Sequence, residues 1–192
     1  SGIGIGTTLY VPCTLNNYYG WNTNLYVQNT ANAATTVTAY YYNNDGSFAG
    51  TQSVNLAPNG RGSVPRLVWC GWARLLAGQP IAAVVSHWRA GEYPLMYMAY
   101  AVANSYSASA YLPSLLRNYY TWNSAYQTTE TTGASVTDRM DFKPDPAGYR
   151  DYSLNAFGHR DGYMEYEEQV PSPWHGSGVI SPIGGSGLIV SA

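Results

Sequence analysis

The residues able to do chemistry are few and scattered. His87, His159 and His175 stand far apart, and none lies at metal-ligand spacing from a cysteine or another histidine. The sequence holds no HExxH, no Gly-x-Ser-x-Gly and no P-loop. GIGIG at 2–6 superficially resembles a nucleotide loop, yet no strand precedes it and no helix follows. One carboxylate cluster exists: Asp138, Asp141, Asp145, Asp151 and Asp161, with Glu165, Glu167 and Glu168. Paired carboxylates can hydrolyse glycosides. Their spacing does not match an EF-hand loop. Asp145 and Asp161 sit in turn contexts, where aspartate bonds its own backbone. Solvated turns and strand faces are therefore expected of this set, with Ca2+ binding as the alternative. No catalysis, cofactor or resident metal is expected.

Cys13 and Cys70 are the only cysteines. Few Lys and Glu, and many Tyr, Asn, Thr, Ser and Gly, suit an exported chain. In that setting an even cysteine count points to one disulfide, worth about 4 kcal/mol in the chain-entropy model. Two buried thiols are the alternative. The chain begins at Ser1, as it would after signal-peptide removal or after trimming. It lacks Asn-x-Ser/Thr sequons, so N-linked sugar of that type is excluded.

Charge narrows the partners. Only 10% of residues are charged, and the formal net charge is −2. That argues against nucleic acid, whose binding needs phosphate neutralisation. No apolar run is long enough for a membrane-spanning helix, so membrane insertion is not expected. The 19 tyrosines and 6 tryptophans exclude the aromatic-poor signature of disorder.

The elements that must position these residues repeat. YVPCTLNNYYGWNT (10–23) and YLPSLLRNYYTWNS (111–124) agree at eight of fourteen positions at a shift of 101. The shared residues are Tyr10/Tyr111, Pro12/Pro113, Leu15/Leu116, Asn17/Asn118, Tyr18/Tyr119, Tyr19/Tyr120, Trp21/Trp122 and Asn22/Asn123. Strand then turn follows in both: 35–46 against 134–145, and LAPNGRG (56–62) against LNAFGHRDG (154–162). WCGWARLLAGQPIAAVVS (69–86) lies over WHGSGVISPIGGSGLIVS (174–191) at a shift of 105, with Gly71 over Gly176. Period-two alternation and turn signals every 8–12 residues read as β throughout. The expectation is all-β, two tandem antiparallel Ig-like sandwiches, 10–110 and 111–192, with 1–9 as an N-terminal extension.

Leu/Val-Pro, NYYGWNT, VQNT, NxDGS, LAPNG and GQPIAAVV together resemble a repeat unit of long secreted bacterial surface proteins. The carriers are Pro12, Asn17–Thr23, Val27–Thr30, Asp45–Ser47, Leu56–Gly60 and Gln79–Val85. The resemblance implies β-sandwich modules and export, without an enzymatic role.

The second repeat stops short of anything matching 87–110, so its last strand is missing. An incomplete sheet exposes an edge. Ser1, Gly2, Ile3, Gly4, Ile5, Gly6, Thr7, Thr8 and Leu9 are therefore expected to act as a donor strand. The acceptor groove would be Leu188, Ile189 and Val190 of a neighbouring copy. Such a contact propagates head to tail into a homopolymer. The charge split agrees: residues 1–110 carry net +2 and 111–192 net −4. The recurring Tyr-Tyr-x-Trp clusters are expected to plug one end of each sandwich. Tyr40 and Tyr42, on the face opposite Ala39 and Tyr41, are expected to form an exposed subunit interface or a carbohydrate platform. The functional expectation is a structural subunit of an extracellular filament or surface layer. A carbohydrate-binding or adhesive module is the alternative.

Overall fold

The computed structural model describes residues 4–89, 91, 98–101, 109–144, 148–184 and 188–191. The fold is all-β and antiparallel, in two compact units, 1–105 and 106–192. The division falls close to the expected one, but residues 1–9 belong to the first unit.

The first unit contains β1 (Ile5–Tyr18), β2 (Trp21–Asn29), β3 (Thr35–Asn43), β4 (Phe48–Leu56), β5 (Arg61–Val64), β6 (Cys70–Arg89) and β7 (Met98–Ala101). Its spine is β6, 20 residues long. The first half of β6 pairs with β1 and β3, and the second half with β2 and β7. Since β1 also pairs with β2, the sheet returns on itself and is barrel-like. The core forms where the inward residues of these strands meet: Leu9 and Val11, Leu25 and Val27, Val37 and Tyr41, Leu75, Ile81 and Val85.

The second unit contains β8 (Ala110–Arg117), β9 (Ala125–Glu130), β10 (Val136–Lys143), β11 (Tyr149–Leu154), β12 (His159–Tyr163), β13 (Trp174–Ile183) and β14 (Leu188–Ser191). A 3-10 turn, Met164–Tyr166, follows β12. Two sheets, β11-β10-β13-β8 and β12-β9-β14, share one core around Leu115, Tyr126, Met140, Phe142 and Ile180.

The pairings of the two units correspond. β1 with β6 answers to β8 with β13, β3 with β4 to β10 with β11, and β2 with β5 to β9 with β12. What is one strand in the first unit, β6, is two in the second, β13 and β14. The glycines show why the first part of the match of 69–86 to 174–191 is physical. A Cβ on Gly71 would stand 2.0 Å from the Tyr42 carbonyl oxygen, and one on Gly176 would stand 2.1 Å from the Lys143 carbonyl oxygen. Both crossings need a residue without a side chain. The β4–β5 turn is likewise reproduced: Asn59 and Phe157 are left-handed, and Gly60 and Gly158 donate to Ala57 and Asn155.

Candidate functional site

The most conspicuous surface feature is the turn after the first strand of each unit. In the first unit, Asn17 and Tyr19 take left-handed backbone, φ 60 and 48°. In the second, Asn118 and Tyr120 do the same, φ 47 and 49°. The side-chain bonds that hold the turn are duplicated. Asn22 Oδ1 accepts from the Asn17 N–H and Asn123 Oδ1 from the Asn118 N–H, while Thr23 and Ser124 accept from the N–H of Leu15 and Leu116. A left-handed tyrosine costs about 1–2 kcal/mol, and such strain persists where the surroundings over-determine it.

The strain does not serve burial. Tyr19 is 70% exposed and Tyr120 80%. In the first unit Tyr18, Tyr19 and Trp69 form a cluster with ring centres 4.6–5.8 Å apart, and Trp69 is itself 56% exposed. In the second unit Tyr119 meets Tyr120 edge-on at 4.7 Å and His175 at 5.3 Å, beside Trp122, 60% exposed. The expected plug is therefore corrected: much of this aromatic surface faces solvent. Tyr18 and Trp21 alone lean on a small core, that of Cys13, Leu15 and Cys70. Trp69 was legible only as a repeat match to Trp174. Trp174 is buried, so the pairing hid the exposure of Trp69.

Tyr40 and Tyr42 do not form an open face. Tyr42 stacks on the buried Trp72 at 4.6 Å and is only 8% exposed. Tyr40 is half-buried beneath the Arg74 guanidinium, 5.6 Å above its ring. Phe48 is the exposed ring of that group.

No disulfide joins Cys13 and Cys70, although both are buried in one small cluster. The register explains this. Cys70 pairs with Leu15, and a bulge lies between Val11 and Thr14, which places Cys13 diagonally to Cys70. Diagonal neighbours lie about 7–8 Å apart, beyond the usual Cα reach of a disulfide.

The proposed donor residues are engaged within their own unit. Ile5 pairs with Ala82, Gly6 with Ile81, Thr8 with Leu76 and Leu9 with Leu75. Gly4 just precedes the strand, Thr7 lies within it, and Leu9 is fully buried in the core. Ser1, Gly2 and Ile3 lie outside the described residues. The acceptor residues are the counterpart of this same contact. Asn29 pairs with Ile81, and its repeat equivalent Glu130 pairs with Leu188. Leu188 and Ile189 thus correspond to Ile81 and Ala82, the residues that Gly6 and Ile5 cover from the same chain. Among the described residues, β14, which holds Val190 as well, pairs with β9 alone.

The carboxylates are more buried than expected. Glu167 is buried and accepts from Tyr126 at 3.0 Å, Tyr152 at 2.6 Å, Arg150 at 3.1 Å and Arg160 at 3.3 Å. Arg160 also lies 3.1 Å over the Tyr152 ring. Burial pushes the Tyr126 hydroxyl up to about 12, so it stays a donor. Asp138 is buried nearby, and desolvation raises its pKa against the opposing pull of Arg160. The Thr128 hydroxyl beside it also pulls its pKa down. Asp151 is gripped by the Arg139 fork at 2.7 and 2.8 Å, which lowers its pKa. Asp161 bonds His159, Asp141 is half-buried, and Glu165 and Glu168 are exposed. Asp145 lies outside the described residues. Glu167 and Asp151 are thus held by tyrosine and arginine, an arrangement that does not converge on one calcium position.

No family model matches the chain, and no curated protein is similar to it. Among solved structures, the crystal structure of Thermotoga maritima 1070 matches at 12% identity and a TM-score of 0.41, covering 50% of this chain and 92% of that chain.

Proposed function

We propose that the protein is an extracellular, non-enzymatic cell-surface module that binds carbohydrate through the two aromatic turns. One observation carries this reading: a strained turn that exposes Tyr and Trp is built twice in one chain by the same side-chain bonds. Strain held without burial calls for a use outside the fold. Exposed aromatic rings offer an apolar face with a polar rim, which suits a sugar ring's C–H face and its hydroxyls. The resemblance to secreted bacterial surface repeats fits the same reading. A glycan array probed with the native chain tests it. Binding should appear on a restricted set of glycans and fall at least tenfold in a Tyr19→Ala, Trp122→Ala double variant. Equal binding by the variant would refute it.

A second reading is a structural subunit that polymerises head to tail. The opposite net charges of residues 1–110 and 111–192 favour it, since complementary charge steers docking. Electron microscopy of native material would show fibres in that case and discrete particles otherwise.

A further inference from the structure

We propose that the first unit holds a binding site apart from its aromatic turn, for a small aromatic carboxylate, on the outer face of β2, β5 and β6. A cavity of about 190 Å3 opens there. The ladder explains its shape. Tyr26 and Gln28 of β2 face solvent, and opposite them on β6 stand Val84 and Ala82. Arg61 of β5 pairs with Gln28 from the other side. Residues paired across strands share a face, so these side chains surround one spot. Ala82 carries only a methyl group between longer neighbours, which leaves the depression. Val27 and Ala83 turn into the core and contribute backbone to the wall.

The lining decides the ligand. Tyr26 is 50% exposed. Among the described residues, no hydrogen bond, ion pair or ring contact holds the side chains of Tyr26, Gln28 or Arg61. Arg66 and Arg74 of the same unit are by contrast engaged, by Asn22 and by the Tyr40 ring. The cavity wall contains no acid, so Arg61 supplies its one charge. A guanidinium presents a planar fork that matches a carboxylate, and it remains charged at any working pH. The rest of the wall is the Tyr26 ring and the Ala82 and Val84 side chains, with one amide, Gln28. A pyranose, ringed with hydroxyls, would press several of them unpaired against such a wall, at a cost for each. An aromatic ring lies edge-on or offset against tyrosine without that cost. The volume agrees, since a cavity of about 150 Å3 holds a benzene molecule. About 190 Å3 takes one ring and leaves its carboxylate at the rim, against Arg61.

Titration of the full chain, followed by amide NMR, tests this with three probes: cinnamate, its uncharged amide, and methyl glucuronide, which carries its carboxylate on a sugar ring. Cinnamate should shift the amides of residues 26–28, 61 and 82–84. It should bind about tenfold more tightly than its amide, the size of one charge-assisted hydrogen bond. Arg61→Gln should remove that preference and leave the affinity of the amide unchanged. Ala82→Ile fills the depression from the outer face, so it should abolish binding of both aromatic probes at unchanged Tm. Should that variant unfold, Arg61→Gln still decides, because Arg61 is exposed. Equal affinity for cinnamate and its amide, an unaffected Arg61→Gln, tighter binding of the glucuronide, or no shifts in these strands overturns the proposal. None of these outcomes touches the aromatic turns, so the carbohydrate reading stands or falls by its own test.

Discussion

Asp138 shows what burial does to a single titratable group. Its carboxyl is withdrawn from water between β10 and its neighbours, and desolvation outweighs Arg160. The folded pKa therefore lies above the unfolded one. An acid shifted this way contributes most to stability below its unfolded pKa, and the contribution fades as pH rises through the folded value. Asp138→Asn should gain stability relative to the parent between pH 4 and pH 7, measured as the difference in Tm at each pH. A difference that is flat, or that shrinks with pH, would contradict the burial account. Asp151 shifts the other way, since Arg139 lowers its pKa, but that pair is exposed and contributes little. Neither behaviour was legible in the sequence. Asp138 reads as one more charge on an alternating strand, yet it is buried, with Thr128 of β9 and Arg160 of β12 acting on it.

At the scale of elements, the sequence carried more. The repeat placed β8, β9 and β10 on β1, β2 and β3, and Gly71 over Gly176 located the crossing in both units. The long β6 was harder to see. Its Gly78-Gln79-Pro80 segment reads as a turn signal, yet the strand runs through it and changes partners there. Residues 1–9 read as serving a neighbour because the second repeat has nothing matching 87–110. Since one strand spans both halves, β1 can follow it as far as Ala82, and Ile5 and Gly6 have a place in their own unit. Removing residues 1–9 should therefore destabilise the first unit by several kcal/mol. It loses the buried Leu9 and its ladder bonds, and a core leucine alone is worth about 2–5 kcal/mol. Thermal unfolding of the truncated chain checks this. A truncated chain as stable as the parent would mean that these residues serve a neighbour instead.

For the whole molecule, two compact units carry the same exposed turn, and the chain has few charges to keep other apolar surface in solution. Its tyrosines include some that build cores, such as Tyr41 and Tyr126, and some held outward, such as Tyr19, Tyr111, Tyr120 and Tyr166. Composition could not separate the two groups. The strained turn backbone marks Tyr19 and Tyr120 among the exposed ones. The most direct measurement is on the Tyr19→Gly, Tyr120→Gly double variant, with Tm and glycan binding read on the same sample. Glycine accepts the left-handed backbone without penalty. If the rings exist to bind, Tm should hold or rise while glycan binding is lost. If they exist to plug the fold, the variant should lose stability on the scale of a buried aromatic, about 3–5 kcal/mol, and the account would be wrong.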